Sequence, residues 1–437
     1  MKLECIMVKI LNKINNQLPR DIVPLIYNSM WLLFDKFSRL ILGLVISTWV
    51  ARYLGPQEYG ILAYILAYLA FFQAVVNLGL DGIVVRDISR HISKSNTIIG
   101  TVLISRIIAG IILWLTAVLI IFLQYGFEGR YLIITVITGS ILLFQSSDTF
   151  DLWFQSQSNS KYTVKAKLIS YIAVSLFKIL LLIYNASLIY FAWAVLIEAL
   201  LSAICLSYVF IKSINFSLSF SSHLFKTFIR ESWPFIVSNI SIVMYMRIDQ
   251  IFINKYLGSS QVGLYSAILP LVNLWSFIPV IISTSIAPYL AKLRNGSIEQ
   301  YNKVLSSIFR GYALLAWIVC IPMCFASGYI VPLIFGSLYE QSSKALSILI
   351  FTNLFINMGL AQTLWVLNEG KSRISLYKTI FGAIVCVSLN IWLIPRFGIN
   401  GAAITAVIAQ FSSAILANAF LAPHILKLQL KSLFLIK

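Results

Sequence analysis

Twelve apolar runs dominate this sequence of 437 residues. A helix needs about 20 consecutive apolar residues to cross the hydrocarbon core of a bilayer. The runs lie near 28–53, 59–80, 97–123, 132–154, 167–185, 187–211, 232–257, 262–290, 304–327, 345–367, 375–394 and 400–424. Only 11% of the residues are charged, against about 25% in a soluble domain. The sequence therefore predicts an all-α integral membrane protein with twelve transmembrane helices.

One short segment occurs twice. Trp49 to Leu69 reads WVARYLGPQEYGILAYILAYL, and Phe252 to Val272 reads FINKYLGSSQVGLYSAILPLV, a constant shift of 203 positions. Each copy has Tyr-Leu-Gly, a short polar turn and a second glycine; the glycines are Gly55, Gly60, Gly258 and Gly263. A helical hairpin at the same place in each half indicates two structural repeats.

The repeats divide the chain into two halves. Six apolar runs precede a polar break at 212–230 and six follow it. Because each half has an even number of helices, both halves enter the membrane from the same side and the repeats are parallel. We predict an N-terminal six-helix bundle at 1–211, a cytoplasmic linker at 212–230 and a C-terminal six-helix bundle at 231–437. A substrate path is expected between the bundles.

Basic residues in the connections define the orientation. With a cytoplasmic N-terminus, the inner connections hold 22 Lys and Arg residues and the outer ones hold 5. The inner set includes Arg86, Lys167, Arg294 and Lys378. This positive-inside bias predicts that both termini are cytoplasmic. It also explains the net charge of +18 without a nucleic-acid partner, because such residues set topology and meet anionic head groups.

Several function classes are excluded by what the chain lacks. The longest non-membrane segment is the linker, so no soluble catalytic domain is predicted, and no GxxxxGK[ST] loop for ATP is found. Cys320 and Cys324 share a helix face but have no His or carboxylate nearby, so we predict no metal site and no cofactor. Residues 1–20 are mixed and polar, which predicts no cleavable signal peptide. The protein is predicted not to be an enzyme.

Charged residues inside the apolar runs are the candidate site. A charge at bilayer depth costs on the order of 2.5–3.5 kcal/mol on insertion scales and normally marks a pathway. The predicted substrate-binding residues are Arg39, Arg106, Lys178 and Arg247, and the predicted ion-coupling residues are Asp35, Glu198 and Asp249. Arginine and lysine facing a cavity favour a phosphorylated or pyrophosphorylated substrate. The carboxylates are expected to carry a proton or bind sodium.

Structural alternatives remain open for these charges. Asp35 and Arg39 are four residues apart, so they can neutralise each other on one helix. Lys36 can extend toward the cytoplasmic surface. Arg106 lies about 14 Å along its helix, too deep to reach a head group easily. The same residues could also form salt-bridged gates between the halves.

Proline is concentrated in the eighth run. Pro270 and Pro279 each remove a backbone hydrogen bond and bend the helix. Proline is tolerated in membrane helices for packing alone. The sharper interpretation, which we adopt as a prediction, is that these two residues make the eighth run a flexing gate.

Two regions carry a family resemblance. RIDQIFINKYLGSSQVGLYSAI, Arg247 to Ile268, resembles the seventh-to-eighth helix region of the polysaccharide exporters known as O-antigen or Wzx-type flippases. The hairpin at Trp49 and NLGLDGIVVRDISR, Asn77 to Arg90, resemble their first-to-third helix region. The resemblance covers essentially the whole chain. It implies the multidrug, oligosaccharidyl-lipid and polysaccharide exporter superfamily and a MATE-like fold.

This resemblance implies a function. Family members move an undecaprenyl-pyrophosphate-linked oligosaccharide between leaflets of the bacterial inner membrane, in antiport with a proton or sodium, and a polysaccharide polymerase and a chain-length regulator are possible partners. The chain stops after twelve helices, unlike the fourteen-helix peptidoglycan-precursor flippases, so that substrate ranks lower. The alternatives are a multidrug or small-solute antiporter of the same superfamily, whose cavity would be richer in carboxylates, and a non-transporting scaffold for polysaccharide assembly.

Overall fold

The computed structural model describes residues 23–127, 129–214 and 217–434. The predictions for residues 1–20 therefore lie outside the described residues. The described part consists of helices and turns, and the bounds of the α-helices are α1 Val23–Val76, α2 Asp81–Arg90, α3 Ser95–Tyr125, α4 Arg130–Gly139, α5 Ile141–Phe144, α6 Asp148–Ser156, α7 Lys161–Ile183, α8 Leu188–Ser213, α9 Ser222–Leu257, α10 Ser259–Asn273, α11 Phe277–Gly296, α12 Ile298–Phe335, α13 Ser342–Leu349, α14 Thr352–Asn368, α15 Ser372–Phe411, α16 Asn418–Leu421 and α17 Pro423–Leu433. A π-helix, Ser412–Leu416, follows α15.

Two of these helices are each broken by one glycine into two crossings. Within the described residues, ten helical stretches are long and apolar enough to span a membrane. At a rise of 1.5 Å per residue, α1 would be about 80 Å long, far more than the ~30 Å hydrocarbon core. Gly55 interrupts α1 at φ 71° and ψ 171°, and Gly398 interrupts α15 at φ 60° and ψ −142°. Ten stretches thus contain twelve crossings, as the sequence predicts.

The hairpin repeat is present in the backbone. Gly55 has its counterpart in Gly258, which separates α9 from α10 at φ 84° and ψ 175°. Both dihedral pairs are open to glycine and strained for other residues. A second pair, Gly126 and Gly336, ends α3 and α12 at φ 72° and φ 92°. The repeat therefore extends well beyond the segment in which the two sequences agree.

Four predicted runs are not continuous α-helices; the twelfth contains the π-helix and a break at Ala422 before α17. The fourth is divided into α4, α5 and α6, and the tenth into α13 and α14. The eighth is divided by a 3-10 turn, Leu274–Ser276, between α10 and α11. Pro279 has no N–H to donate to the carbonyl of Trp275, which explains the break at this point. α9 begins at Ser222, inside the segment 212–230 that is predicted to be the linker.

The two halves meet at the repeated hairpins. A Cβ atom on Gly60 would overlap the carbonyl oxygen of Ser259, and one on Gly263 would overlap the carbonyl oxygen of Pro56. Both pairs are related by the same shift of 203 positions, so the contact has pseudo-two-fold symmetry. Glycine is required at both places because the backbones touch directly.

Candidate functional site

Four charged side chains of the N-terminal half form one cluster. Arg39 lies on the first segment of α1, Lys178 on α7 and Glu198 on α8. Arg39 Nε donates to Asp35 Oδ1 at 2.8 Å, and Arg39 Nη1 lies 3.9 Å from Glu198 Oε1. Lys178 Nζ donates to Glu198 Oε2 at 3.3 Å. Glu198 therefore bridges two cations, and the cluster contains as many carboxylates as cations.

Tyr171 holds Arg39 in place. The guanidinium carbon of Arg39 lies 4.9 Å from the centre of the Tyr171 ring. The Tyr171 hydroxyl donates to the Arg39 carbonyl oxygen at 3.2 Å. A Cβ atom on Gly43 would lie 2.9 Å from that hydroxyl, so the absence of a side chain at Gly43 leaves space for the Tyr171 ring. The aromatic face stabilises a cation and leaves the guanidinium N–H groups free to bind oxygen atoms.

A cavity of about 480 Å³ opens beside this cluster. One wall consists of Lys36, Arg39 and Leu40 on α1, and the other of Ser276, Phe277 and Val280 around the break between α10 and α11. Phe37 stacks on Phe277 across the gap, with 4.9 Å between ring centres. The cavity thus lies between the two halves and joins the charge cluster to the helix break predicted to act as a gate.

The predicted gate residues lie on either side of that break. Pro270 is on α10, and its carbonyl oxygen accepts from the Leu274 N–H. Pro279 is buried in the first turn of α11, and its carbonyl oxygen accepts from the Tyr312 hydroxyl at 2.8 Å. The position fits a hinge, and gating itself stays a prediction.

Arg106 lies elsewhere in the N-terminal half. Its side chain is fully buried, and Nη2 binds Asp81 Oδ1 at 2.6 Å and the Asn77 carbonyl oxygen at 3.1 Å. Nη1 contacts Thr149 Oγ1 at 3.3 Å. These contacts fix the turn between α1 and α2, in which Leu78 has φ 53°. In this conformation Arg106 has no surface available to a substrate.

Arg247 and Asp249 lie on α9 in the C-terminal half. Asp249 is buried; Oδ2 accepts from the Tyr265 hydroxyl and Oδ1 from the Gln250 N–H. Cys386 of α15 is near enough to interact electrostatically with the carboxylate. Arg247 is exposed, and among the described residues it forms no ion pair within 4 Å. The four predicted cations therefore do not share one cavity. Arg39 and Lys178 are together, whereas Arg106 and Arg247 are separate.

Lys378 is a candidate that the charge distribution misses. It was expected at a cytoplasmic connection, but the side chain lies on α15 and is only 7% exposed. Its Nζ donates to Gln362 Oε1 at 3.2 Å. Gln362, Asn418 and Gln429 are fully buried and bonded to one another, which ties α17 to the bundle. The sequence feature that indicates burial of Lys378 is its position inside an apolar run with no acidic residue one helical turn away.

On the side predicted to be periplasmic, side chains also join the two halves. Asn254 Nδ2 of α9 donates to the Tyr125 hydroxyl at 2.9 Å, and Tyr125 stacks on Tyr131 with 4.3 Å between ring centres. The Tyr339 hydroxyl donates to the Ala51 carbonyl oxygen at 2.6 Å. Together with the glycine contact of the hairpins, these bonds close this side of the interface.

Ion pairs lie at the side predicted to be cytoplasmic. Arg86 of α2 donates to Glu231 of α9 at 2.9 Å, which connects the two halves. Arg294 binds Glu369 with Nε–Oε1 at 2.7 Å, within the C-terminal half. The hydrogen bond from Arg294 holds the pKa of Glu369 below its ordinary value. Both pairs are solvent-accessible, so each is a weak contact.

Comparison with known proteins identifies related sequences. A family profile described as polysaccharide biosynthesis protein matches residues 25–294. A putative O-antigen transporter of Shigella flexneri is 23% identical over 415 residues, covering 90% of this chain and 96% of the relative.

Solved structures share the fold. The lipid II flippase MurJ in an inward closed conformation gives a TM-score of 0.73 at 16% identity, covering 94% of this chain and 91% of that chain. An inward-facing multidrug resistance MATE family transporter gives a TM-score of 0.67 at 16% identity, covering 90% and 96%. The predicted MATE-like fold is therefore confirmed.

Proposed function

The chain belongs to the polysaccharide biosynthesis protein family, and we propose that it is a flippase for polyprenyl-pyrophosphate-linked oligosaccharides. In this role it moves the repeat unit of an O-antigen or a similar polysaccharide, carried on undecaprenyl pyrophosphate, from the cytoplasmic to the periplasmic leaflet. One relative is a putative O-antigen transporter, and the chain is accordingly a membrane transporter and not an enzyme. The host membrane is the bacterial inner membrane, with both termini cytoplasmic.

The charge cluster beside the interface cavity carries this proposal. Lys36 and Arg39 line the cavity, and Lys178 is connected to Arg39 through Glu198. A pyrophosphate offers several anionic oxygens, which arginine binds in pairs and lysine as a point charge. The lipid tail stays in the bilayer while the pyrophosphate and the sugars cross through the polar gap. The charged residues that line the cavity, Lys36 and Arg39, are both cations. A cavity for cationic drugs would be expected to present carboxylates instead, so this lining favours the flippase over a multidrug antiporter.

Substrate binding at this cluster requires an exchange of partners. Glu198 occupies both cations in the described conformation. A pyrophosphate that enters from Lys36 competes with the carboxylate for Arg39 and then for Lys178. Because Asp35 and Glu198 already pair with Arg39 and Lys178, these two cations are not left unpaired when no substrate is bound.

The repeat supplies the movement in this proposal. The bundles at 1–211 and 231–437 act as two bodies that rock about the hairpin contact. Gly60 and Gly263 separate as the periplasmic side opens, and the bonds of Asn254 and Tyr339 break with them. The 3-10 turn between Pro270 and Pro279 absorbs the bend. Arg106 acts as a positioning residue that keeps the turn between α1 and α2 rigid.

The coupling cation is assigned to Asp249. Antiport requires that cation and substrate favour opposite states of the carrier. Protonation of Glu198 would free Arg39 and Lys178 to bind phosphate. A proton on Glu198 would therefore strengthen substrate binding at the cluster, which is the opposite of what antiport requires. Asp249 is buried in the other half, away from the cluster, and can bind a proton or sodium independently. Asp35 and Glu198 then serve as counter-ions of the cationic wall.

A reconstituted flipping assay tests the function. The full-length protein is placed in liposomes that contain a fluorescent polyprenyl-pyrophosphate oligosaccharide, and a membrane-impermeant quencher reports the leaflet. We expect wild-type protein to equilibrate the lipid, and Arg39→Met and Lys178→Met to slow this by at least tenfold. Lys255→Met, which removes an exposed cation at the opposite end of a span, is the matched control.

Gene deletion in the native host distinguishes the alternatives. A flippase leaves lipid-linked units in the inner leaflet when it is removed. Drug sensitivity without such accumulation would overturn the proposal in favour of a multidrug antiporter. If the deletion strain lost its surface polysaccharide and expression of the Arg39→Met variant fully restored it, the protein would instead be a scaffold. Contact with the polymerase or the chain-length regulator would then explain the phenotype.

A further inference from the structure

A second cavity, of about 450 Å³, lies outside the site described above. It is enclosed by the end of the first segment of α1, the start of α4 and the connection between α7 and α8. All three lie at the side predicted to be periplasmic. Leu54, Ile133, Ile134 and Leu188 form its apolar floor. All of its lining residues belong to the N-terminal half, so its walls do not depend on contact with the other half.

The rim of this cavity is polar but balanced in charge. Arg130 Nη1 and Glu58 Oε1 form an ion pair across it, from α4 to α1. Tyr53, Asn185 and Ser187 complete the rim with a hydroxyl, an amide and a second hydroxyl. Since the carboxylate and guanidinium neutralise each other, the rim suits an uncharged ligand with many hydroxyl groups better than an anion.

The cavity exists because the two halves differ at this point. In the N-terminal half, the fifth and sixth crossings are joined by a four-residue connection in which Asn185 has φ 51°. The Tyr53 hydroxyl donates to the Ala186 carbonyl oxygen at 3.1 Å and fixes that connection to α1. In the C-terminal half, the eleventh and twelfth crossings are joined by the kink at Gly398. A Cβ atom there would lie 4.0 Å from Cδ1 of Leu257.

Leu54 and Leu257 occupy the same position in the two hairpins. The first lines an open cavity, and the second lies beside Gly398 in the kink that joins the eleventh and twelfth crossings. Tyrosines near this surface also suit the aromatic belt of a membrane protein. A belt residue, however, needs no concave floor and no ion pair between two helices.

We propose that this cavity binds a sugar residue of the exported glycan on the periplasmic side; the proposal rests on the flippase function above. A pyranose ring has an apolar C–H face and hydroxyl groups that both donate and accept. The floor receives the C–H face, while Glu58, Arg130 and Asn185 bind hydroxyls. A tethered glycan presents its sugars at an effective concentration in the millimolar range. A weak site is therefore enough to hold a flipped unit and oppose its return.

Binding is measured on the full-length protein in nanodiscs, by saturation-transfer NMR. The probes are lipid-free disaccharides of neutral hexoses, 6-deoxyhexoses and N-acetylhexosamines. We expect at least one class to bind wild-type protein and Ile112→Trp, which adds the same bulk on the exposed face of α3. Ile133→Trp fills the cavity and should weaken binding by at least tenfold. Inorganic pyrophosphate should not compete.

The flipping assay with the same variants separates this proposal from the function. We expect Ile133→Trp to slow export of the lipid-linked substrate severalfold and Ile112→Trp to leave it unchanged. If wild-type protein flips the lipid but binds none of the sugars, the cavity assignment fails and the function stands. Sugar binding without flipping would reject the function. Unchanged binding in Ile133→Trp, competition by pyrophosphate, or lost binding with unchanged export would each overturn the cargo site.

Discussion

The two halves share a backbone plan and differ in how they neutralise charge. Gly55 and Gly258 break the hairpins with nearly the same dihedral angles. In the N-terminal half, Arg39 and Lys178 are paired with carboxylates. In the C-terminal half, Lys378 binds only an amide, and Arg247 has no ion pair among the described residues. The repeat thus defines the frame, while the charges give each half its own chemistry.

This difference assigns a separate task to each half. A paired cluster next to an open cavity can exchange its internal carboxylate for a substrate anion. A buried carboxylate such as Asp249, bonded to the Tyr265 hydroxyl and a backbone N–H, suits a small cation better than a large anion. We therefore place substrate recognition in the first half and coupling in the second.

The largest expected effect tests what the halves share. Gly60→Ala and Gly263→Ala each insert a Cβ atom where backbone from the other half lies. Overpacking of this kind costs about 1–3 kcal/mol, so the closed state should lose roughly 5-fold to 150-fold in population. Flipping assays should show similar losses for both variants. Gly311→Ala, at a helical glycine with open space around it, should be neutral.

Unequal results would contradict pseudo-symmetry at this contact. If Gly60→Ala abolished flipping and Gly263→Ala did not, the hairpins would have different roles despite their common geometry. Normal flipping in both variants would show that the halves do not need to meet here.

The second prediction tests where the halves differ. Lys178→Met leaves Glu198 without one of its two cations, and we expect a loss of about 1–2 kcal/mol in the free energy of unfolding, reduced by partial exposure. Lys378→Met leaves no carboxylate unpaired, because the Gln362 oxygen still accepts from Asn418. Its stability should be unchanged or higher. Thermal unfolding of the two variants in one detergent measures the contrast.

A double variant provides the control. Lys178→Met combined with Glu198→Gln should recover most of the lost stability, because no uncompensated carboxylate remains. If the single and double variants unfold at the same temperature, the ion pair is not what stabilises this part of the fold.

A third, smaller effect separates bonds between the halves from bonds within one half. Tyr339→Phe removes a hydroxyl that binds Ala51 across the interface, and Tyr312→Phe removes one that binds Pro279 inside the C-terminal half. Each bond is worth about 1 kcal/mol. We expect only Tyr339→Phe to widen the distance distribution between spin labels at Phe127→Cys and Leu338→Cys, on a background without native cysteines. Equal widening in both variants would contradict this division.

The sequence predicts the parts of this molecule that depend on local pattern. Apolar run length determines the crossings, and glycine at Gly55 and Gly258 marks the breaks, because both properties are visible within a few residues. The pairing of Asp35 with Arg39 is also local, since the residues are one helical turn apart. Charge at depth also selects Arg39, Lys178 and Glu198, which lie together in the structure; their roles in binding and coupling stay predictions.

What the sequence does not predict depends on packing between distant helices. Arg106 passes every test for a buried charge, yet Asp81 and Thr149 enclose it once α2 and α6 pack against α3. Lys378 resembles a loop cation because it lies near the end of a run. Only the fold shows that Gln362 and α17 cover it. Depth along a helix therefore indicates that a charge is buried, whereas its partners decide whether it faces a path.

The smallest effect concerns the cytoplasmic ion pairs. Arg294 holds the pKa of Glu369 below its ordinary value of 4.5. The pair therefore stabilises the folded state above pH 4.5, and this contribution is lost as the pH falls through the lower folded pKa. Glu369→Gln should unfold at a slightly lower temperature than wild-type protein at pH 7. Its unfolding temperature should also decrease less than that of wild-type protein between pH 7 and pH 4.

The matched variant is Glu231→Gln, which breaks the pair between the halves instead of the pair within one. We expect it to leave the acid dependence of unfolding near wild type, because both side chains of its pair with Arg86 are exposed and the contact is weak. It should instead loosen the cytoplasmic contact of α2 with α9, which a higher flipping rate would report. An acid dependence altered equally by both variants would mean that these pairs act through net charge alone, and the distinction between contacts within and between the halves would not hold at this surface.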